Sequence, residues 1–271
     1  MFAAAKRFLR LLVPPSLRRE WRLRTGWQWL RGDYPDWAAA RAASAGYDTP
    51  AELERYAAAA RRAEACPGAW DRDGVVFETP ASHAPLLAAL AEAARRHPTG
   101  FDVIDFGGAL GSTWRQHRSA LAACRVRRWW VVEQPAWVEA GRREFAHDGL
   151  DFAATLAEAS RRPASEVLLL SSVLPYLEAP HALIDDVIRR PFSALIIDRT
   201  PFWRGGRDRL TVQHTPPQYG GGSYPCWVFD RERLLAPLHA EYRLAAEWPG
   251  FDDLAAWVRY RGICFTRSNA G

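Results

Sequence analysis

Lysine is almost missing from this chain of 271 residues: Lys6 stands alone among 36 basic side chains. Nicotinamide-dependent oxidoreductases and epimerases commonly work through a Tyr-x-x-x-Lys pair, and no tyrosine here has a lysine to pair with. Cysteine is also sparse. Cys66, Cys124, Cys226 and Cys264 lie far apart, with no CxxC pair and no histidines at zinc-like spacing. That pattern argues against a disulfide framework and against a metal site, and predicts reduced, mostly buried thiols in a cytoplasmic protein. No apolar run approaches the ~20 residues needed to span a bilayer. The apolar stretch Phe8 to Val13 is short, is interrupted by Arg10 and precedes no small-residue cleavage site, so it does not read as a secretory signal.

What is present is enough apolar material for a core. Hydrophobic residues make up 48 % of the chain, and its length suits one large α/β domain with an appendage. The net charge of +5 is unevenly placed. Residues 1–31 hold eight basic side chains against the single acid Glu20, a net +7 that leaves −2 for residues 32–271. A nucleic-acid enzyme carries its basic surface around the active domain, so nucleic acid is not expected as a partner. Phe2, Phe8, Leu9, Leu11, Leu12 and Val13, mixed with Lys6, Arg7 and Arg10, fit an amphipathic helix ended by Pro14-Pro15. Such an arm suits either peripheral contact with an anionic membrane face or packing on the main domain.

Three regions follow from the pattern: the basic arm 1–31, a helical appendage 32–79, and a Rossmann-like domain 80–271. In the appendage, Gly32 to Trp37 reads as a turn, 38–45 as a short helix and 51–65 as a helix. Thr49 would cap that second helix, with Pro50 at its first position and Glu52 three residues after the cap. From residue 80, helices (82–97, 112–123, 135–147, 155–161, 180–190) alternate with strands (102–106, 129–133, 150–153, 166–171, 193–198). This alternation predicts a doubly wound, mainly parallel sheet. A helix at 230–239 and strands at 241–248 and 258–266 then predict an antiparallel pair closing one edge, a feature of methyltransferase sheets rather than dinucleotide-binding ones.

The segment Val103-Ile-Asp-Phe-Gly-Gly-Ala-Leu-Gly-Ser112 lies where an apolar strand turns into a helix. Glycines there allow positive φ and let backbone approach a ligand, while Ser112 or Thr113 could cap the helix whose N–H groups face a carboxylate. Glu133, at the end of the next strand, can accept hydrogen bonds from both ribose hydroxyls. Gly107, Gly108 and Gly111 do not fit the GxGxxG spacing of dinucleotide sites. Asp105, two before the first glycine, suits a cofactor with a cationic amino-acid end and no phosphates. The Asp-x-Gly-x-x-x-Gly arrangement resembles motif I of class I methyltransferases, whose cofactor is S-adenosyl-L-methionine.

The resemblance extends further. Ser171-Ser-Val-Leu-Pro-Tyr-Leu177 is similar to the turn after the fourth strand of such enzymes. Gly32 to Trp37, Gly46-Tyr47-Asp48, Asp198-Arg-Thr-Pro-Phe202, Leu210-Thr-Val-Gln213 and Ser223 to Phe229 resemble a bacterial family of methyltransferases associated with surface-polysaccharide loci. By position, this resemblance implies that Asp105, Gly107, Gly108 and Gly111 hold the methionine end, Glu133 the ribose, and that Ser171 and Ser172 border the sulfonium. The chain departs from the common pattern at Ala153-Ala-Thr-Leu156, where many class I enzymes place an Asp for the adenine amine.

After the fifth strand, roughly 25 residues show no clear periodicity, and loops of that length are usually functional or disordered. This one carries His214, Tyr219, Tyr224, Trp227 and Phe229, aromatic faces suited to stacking on a sugar. His214 and Asp198 are candidates for taking a proton from an acceptor hydroxyl, with Tyr219, Tyr224 and Trp227 as candidate substrate contacts. Asp198 could instead bond backbone N–H groups or pair with Arg199 or Arg209; His83 and His181 read as structural. The sequence therefore points to an O-methyltransferase of a carbohydrate or surface-glycan intermediate. A non-catalytic scaffold of the same fold, and less so a nicotinamide oxidoreductase, stay open.

Overall fold

The computed structural model describes residues 29–46, 49–147, 149–160, 166–215, 221–250 and 257–268. Most of the basic arm, with Tyr47, Asp48 and Tyr219, lies outside them. The strands, in chain order, are β1 (Leu30–Tyr34), β2 (Trp70–Arg72), β3 (Val75–Phe77), β4 (Phe101–Phe106), β5 (Val126–Val132), β6 (Leu150–Ala153), β7 (Glu166–Ser171), β8 (Ala194–Trp203), β9 (Arg209–His214), β10 (Ser223–Asp230), β11 (Tyr242–Pro249) and β12 (Arg259–Arg267). The helices are α1 (Trp37–Ala42), α2 (Pro50–Ala65), α3 (Ala84–Arg96), α4 (Ser112–Ala123), α5 (Pro135–Glu144), α6 (Leu156–Ala159), α7 (Pro180–Ile188) and α8 (Arg231–Leu235).

Five parallel strands run in the order β6-β5-β4-β7-β8, and β12, antiparallel to β8, is followed by β11. The sheet is therefore Rossmann-like, mainly parallel, and closed at one edge by the expected C-terminal antiparallel pair. Val103, Val131, Leu169 and Ile196 enter a core with α2, α3, α4 and α5 on one face. Ile104, Val132, Leu168, Leu170 and Ile197 enter a second core with α6, α7 and α8 on the other. Strands buried on both faces read as continuous apolar runs, as β7 does from Val167 to Leu170. Among the described residues no helix is long and apolar enough to cross a membrane.

Three expectations change. Gly32 to Trp37 is not simply a turn, because β1 pairs antiparallel with β9. The appendage is not purely helical, because β2 and β3 form a hairpin whose Asp73 and Gly74 both have positive φ, the Asp-Gly pair that a two-residue turn favours. The run after the fifth strand is not aperiodic either. β8 continues to Trp203, and β9 and β10 pair antiparallel from His214–Ser223 to Arg209–Val228. Since β12 occupies one edge of β8 as far as Phe202, β10, which pairs with Phe202 and Trp203, must lie on the edge that β7 vacates after Asp198. The β1-β9-β10 ribbon thus extends past the C-terminal end of β7. That is the edge where ligands bind in open α/β sheets.

Thr49 caps α2 as the sequence suggests, its Oγ1 accepting from the Glu52 N–H with Pro50 at the helix start. The cap of α4 differs: it is Gly111, at φ +85°, and it makes no side-chain hydrogen bond. Ser112 is already the first helical residue.

Candidate functional site

Side chains alternate across a strand, so the residue two beyond each core position shares its face. Asp105 follows Val103, Glu133 follows Val131, Ser171 follows Leu169 and Asp198 follows Ile196. Four polar residues thus end four neighbouring rows on the α3–α5 face, in the sheet order Glu133, Asp105, Ser171, Asp198. The middle of this row is the point where strand order reverses between β4 and β7, a ligand-binding position in sheets of this kind.

The glycine loop fits closely around Asp105. A Cβ at Gly108 would fall 2.5 Å from the Asp105 carboxylate, and one at Gly107 would fall 2.4 Å from Val173. Gly107, at φ +76°, therefore needs both its missing side chain and its conformational freedom. Asp105 is buried, and Oδ2 accepts from Trp129 Nε1 at 3.1 Å. Burial pushes its carboxyl up to about 7, with the nearby Glu133 charge adding to the rise and the Trp129 bond opposing it. Glu133, just past β5, reaches over the loop: Oε1 accepts from the Ala109 N–H at 3.2 Å and Oε2 from the Gln134 N–H. The loop is fixed from outside by Arg115 on α4, which donates to the Leu110 carbonyl and to Asp71 of β2 at 2.9 Å. After β6, the first acid is Glu158, and it is already held by the Ala154 N–H and Arg142.

At the far end of the row, Asp198 has no exposed surface. Oδ2 meets His83 Nε2 at 2.9 Å and accepts from Ser171 Oγ at 3.2 Å, while Oδ1 accepts from Trp248 Nε1 at 2.9 Å. Its partners are thus neither backbone N–H groups nor Arg209. Burial alone would raise this carboxyl, but His83, Trp248 and Arg199 together hold it below its ordinary value. His83 also donates its backbone N–H to His117 Nε2, and burial with the adjacent His83 charge pushes His117 down to about 4. Trp248 lies on β11, beyond β12, and reaches Asp198 by crossing Gly262: a Cβ there would fall 1.9 Å from Trp248 Nε1. Gly262→Ala should therefore lower the melting temperature by several degrees, and part of that loss should vanish in a Trp248→Ala background, the rest staying with Asp198 Oδ1, 2.5 Å from the same Cβ. Fully additive losses in the double-mutant cycle would rule out the crossing as the cause.

The remaining candidates divide between the two faces of the β9–β10 ribbon. Tyr224 and Gln213 meet Tyr176, from the turn after β7: the Tyr176 hydroxyl donates to Gln213 Oε1 at 3.0 Å, and the Tyr224 ring stands edge-on to Tyr176 at 5.3 Å. His214, one residue on, alternates to the opposite face with Leu210 and Val212, which pack on Ala40 of α1. It is thereby directed away from the Tyr176 cluster, and a proton-accepting role there does not suit it. Trp227 shares the Leu210 face, and its Nε1 donates to the Leu177 carbonyl at 3.1 Å. His181 sits at the start of α7 against Asp208 at 2.6 Å. Ser172 has φ +55°, with its N–H donating to the Asp198 carbonyl. Ala109 and Arg199 also have positive φ, a conformation costing a non-glycine residue ~1–2 kcal/mol. Three such residues directly follow β4 and β7 or interrupt β8, all on the ligand-binding edge, as expected where strain is retained for a site.

Sequence reasoning set His83 aside as structural and missed Trp248, Gln213, Tyr176 and Arg199. The one local signal among the missed features was Asp73-Gly74, a hairpin dipeptide followed by the apolar Val75-Val76-Phe77.

No family model and no curated protein matches the chain. Among solved structures it is similar to the N-terminal domain of EvdMO1 with SAH bound, at 18 % identity over 77 % of this chain and 95 % of that one, with a TM-score of 0.46. It is similar also to a 1,6-didemethyltoxoflavin-N1-methyltransferase of Burkholderia thailandensis (17 % identity, 83 % and 95 % covered, TM-score 0.41). A third is CalS10, an amino pentose methyltransferase of Micromonospora echinaspora (16 % identity, 69 % and 92 % covered, TM-score 0.43). With every one of these TM-scores below 0.5, it is the strand order of this chain that defines its fold.

Proposed function

We propose that the protein is an S-adenosyl-L-methionine-dependent methyltransferase of class I, acting on a hydroxyl of a carbohydrate or surface-glycan intermediate. The observation that carries this reading is the row Glu133-Asp105-Ser171-Asp198 across the strand-order reversal, with the glycine loop folded against Asp105. Gly107, Gly108 and Gly111 let the loop close against Val173, Asp105 and Leu150 and leave its backbone bare towards a ligand's amino-acid end, to whose ammonium Asp105 offers a carboxylate. The α4 N-terminus, without a side-chain cap, offers N–H groups to a carboxylate. Glu133 is placed for ribose hydroxyls. The cofactor, when bound, supplies a methyl group on a sulfonium. The chain's own part is to hold the acceptor in line with it, using Ser171, Ser172 and the Tyr176–Tyr224–Gln213 cluster beneath the ribbon. Asp198, saturated by His83, Ser171 and Trp248, acts as a positioning residue for Ser171.

Calorimetric titration with S-adenosylmethionine, S-adenosylhomocysteine and NAD tests the reading. Micromolar binding of the first two is expected, with Glu133→Ala weakening it by ~1–3 kcal/mol through lost charged hydrogen bonds. Binding of NAD alone, or unchanged affinity in the variant, would remove Glu133 and the reading with it. A second reading, a non-catalytic scaffold of the same fold in glycan assembly, is favoured by one observation: Asp198 is engaged by His83, Ser171 and Trp248. Methyl turnover with a cell-envelope extract separates the two, since a scaffold binds the cofactor without consuming it.

A further inference from the structure

We infer that the acceptor carries an anionic group, a phosphate or a carboxylate, and that Arg199 receives it in exchange for Asp73. The inference rests on the reading above in one respect, that the acceptor enters beside Ser171 and Asp198.

Arg199 occupies a bulge. On β8, Ile197 pairs with Ile263 and Thr200 with Arg261, which leaves Asp198 and Arg199 together opposite Gly262. A bulge re-aims side chains and commonly gives its left-handed position to glycine. Here that position holds an arginine at φ +49°. The fold keeps a charged side chain in an unfavourable backbone conformation at the end of the polar row. It follows Asp198 directly in the chain, and its charge bears on the Asp198 carboxyl and the Tyr176 hydroxyl alike. A guanidinium at the end of a row of polar side chains suits a ligand with an oxyanion and several hydroxyls.

Comparison with a neighbouring ion pair on the same hairpin marks the Arg199–Asp73 pair as the exchangeable one. Asp71 meets Arg115 at 2.9 Å, with 9 % of the arginine and 4 % of the aspartate side chain exposed. That pair is a buried strut, tied in turn to the glycine loop. Asp73 meets Arg199 at 3.6 Å, with 14 % of the arginine but 53 % of the aspartate exposed. The distance exceeds the 2.7–2.9 Å of a charge-assisted hydrogen bond. A guanidinium this far out of water needs a compensating anion, and Asp73 supplies one through a half-exposed carboxylate that is able to turn to solvent while Arg55 holds its backbone carbonyl. The β2–β3 hairpin is thus fixed at Asp71 and exchangeable at Asp73. An incoming oxyanion takes the place of the Asp73 carboxylate without leaving Arg199 uncompensated.

The test is competition binding to the full chain, loaded with S-adenosylhomocysteine and without it, using glucose 1-phosphate, glucuronate and glucose. One or both anions should bind at least tenfold more tightly than glucose, and whichever is the tighter names the group. Arg199→Met should abolish that preference while leaving S-adenosylhomocysteine affinity unchanged, and Arg199→Lys should keep part of it. Asp73→Asn, which removes the internal competitor and leaves the exposed turn intact, should raise anion affinity severalfold. Equal binding of glucose, no binding of any probe, or an Asp73→Asn variant without gain would overturn the inference, the last even if Arg199→Met does not fold. Loss of S-adenosylhomocysteine binding in the unaltered protein would instead defeat the methyltransferase reading, since the anion preference is also read without it.

Discussion

Replacing Asp198 with alanine is expected to cost about 3–5 kcal/mol of folding stability, measured as a shift of the urea midpoint at pH 7. The carboxylate is fully buried and engages three side chains, His83, Ser171 and Trp248, within 3.2 Å. Removing it leaves an imidazole and an indole N–H facing a cavity with no acceptor. Breaking a buried pair from one side costs this much because the other side stays desolvated. Asp198→Asn, which keeps an acceptor for Trp248, should cost less than alanine. The pH dependence has a definite sign. Because the folded state holds this carboxyl below its ordinary value, its contribution is complete above the unfolded value near 3.8. It fades as pH falls through the lower folded one. The alanine deficit should accordingly shrink in acid. A loss below 1 kcal/mol at pH 7 would mean that the network does not hold this end of the sheet together, and would return Asp198 to the candidate proton acceptors.

That network shows where sequence reading stops. The β-α alternation, the glycine loop and Glu133 were legible because each is local: an apolar run, a turn and a strand end within 30 residues. His83 meets Asp198 across 115 residues of sequence and Trp248 meets it across 50, and no periodicity announces such a pairing. The β9–β10 ribbon was hidden for a different reason. Half-buried strands alternate polar and apolar residues, but β9 is buried on both faces from Leu210 to Gln213. Its polar positions are satisfied inside, Thr211 by the Cys226 carbonyl and Gln213 by Tyr176. Pro225, within β10, adds a residue that normally argues against a strand interior. The β2–β3 hairpin failed the period test because each strand has only three residues; its Asp-Gly turn was the readable part. Asp198 itself was identified as chemically important from its place at the end of an apolar strand. What the sequence did not contain was its environment, and that environment supports an anchoring role for Asp198 over a proton-accepting one.

Asp105→Asn is expected to behave in the opposite way to Asp198→Ala, stabilising the protein increasingly as pH rises. Burial lifts the Asp105 carboxyl to about 7 in the folded state, against 3.8 when unfolded. Below the unfolded value both states carry the proton and folding is not penalised. As pH climbs from there towards 7, unfolding releases the proton and becomes easier; above 7 the full penalty, on the order of 4 kcal/mol, is in place. Asparagine keeps an acceptor for Trp129 Nε1 and never ionises. Its stability relative to the unaltered protein should therefore rise by about 3 kcal/mol between pH 5 and pH 8, read from urea unfolding at both. A difference that does not change with pH would show that Asp105 ionises like an exposed carboxyl. The same physics bears on binding. An ammonium brought against Asp105 favours its ionised form, so binding of an aminoacyl-bearing cofactor near pH 6 should release close to one proton. Calorimetry in buffers of different ionisation enthalpy counts it, and Asp105→Asn should reduce the count towards zero. The strain on Asp105 is then relieved by the ligand: a carboxyl that costs stability in the empty site becomes a paired carboxylate in the occupied one, and stability held back in folding is recovered as affinity.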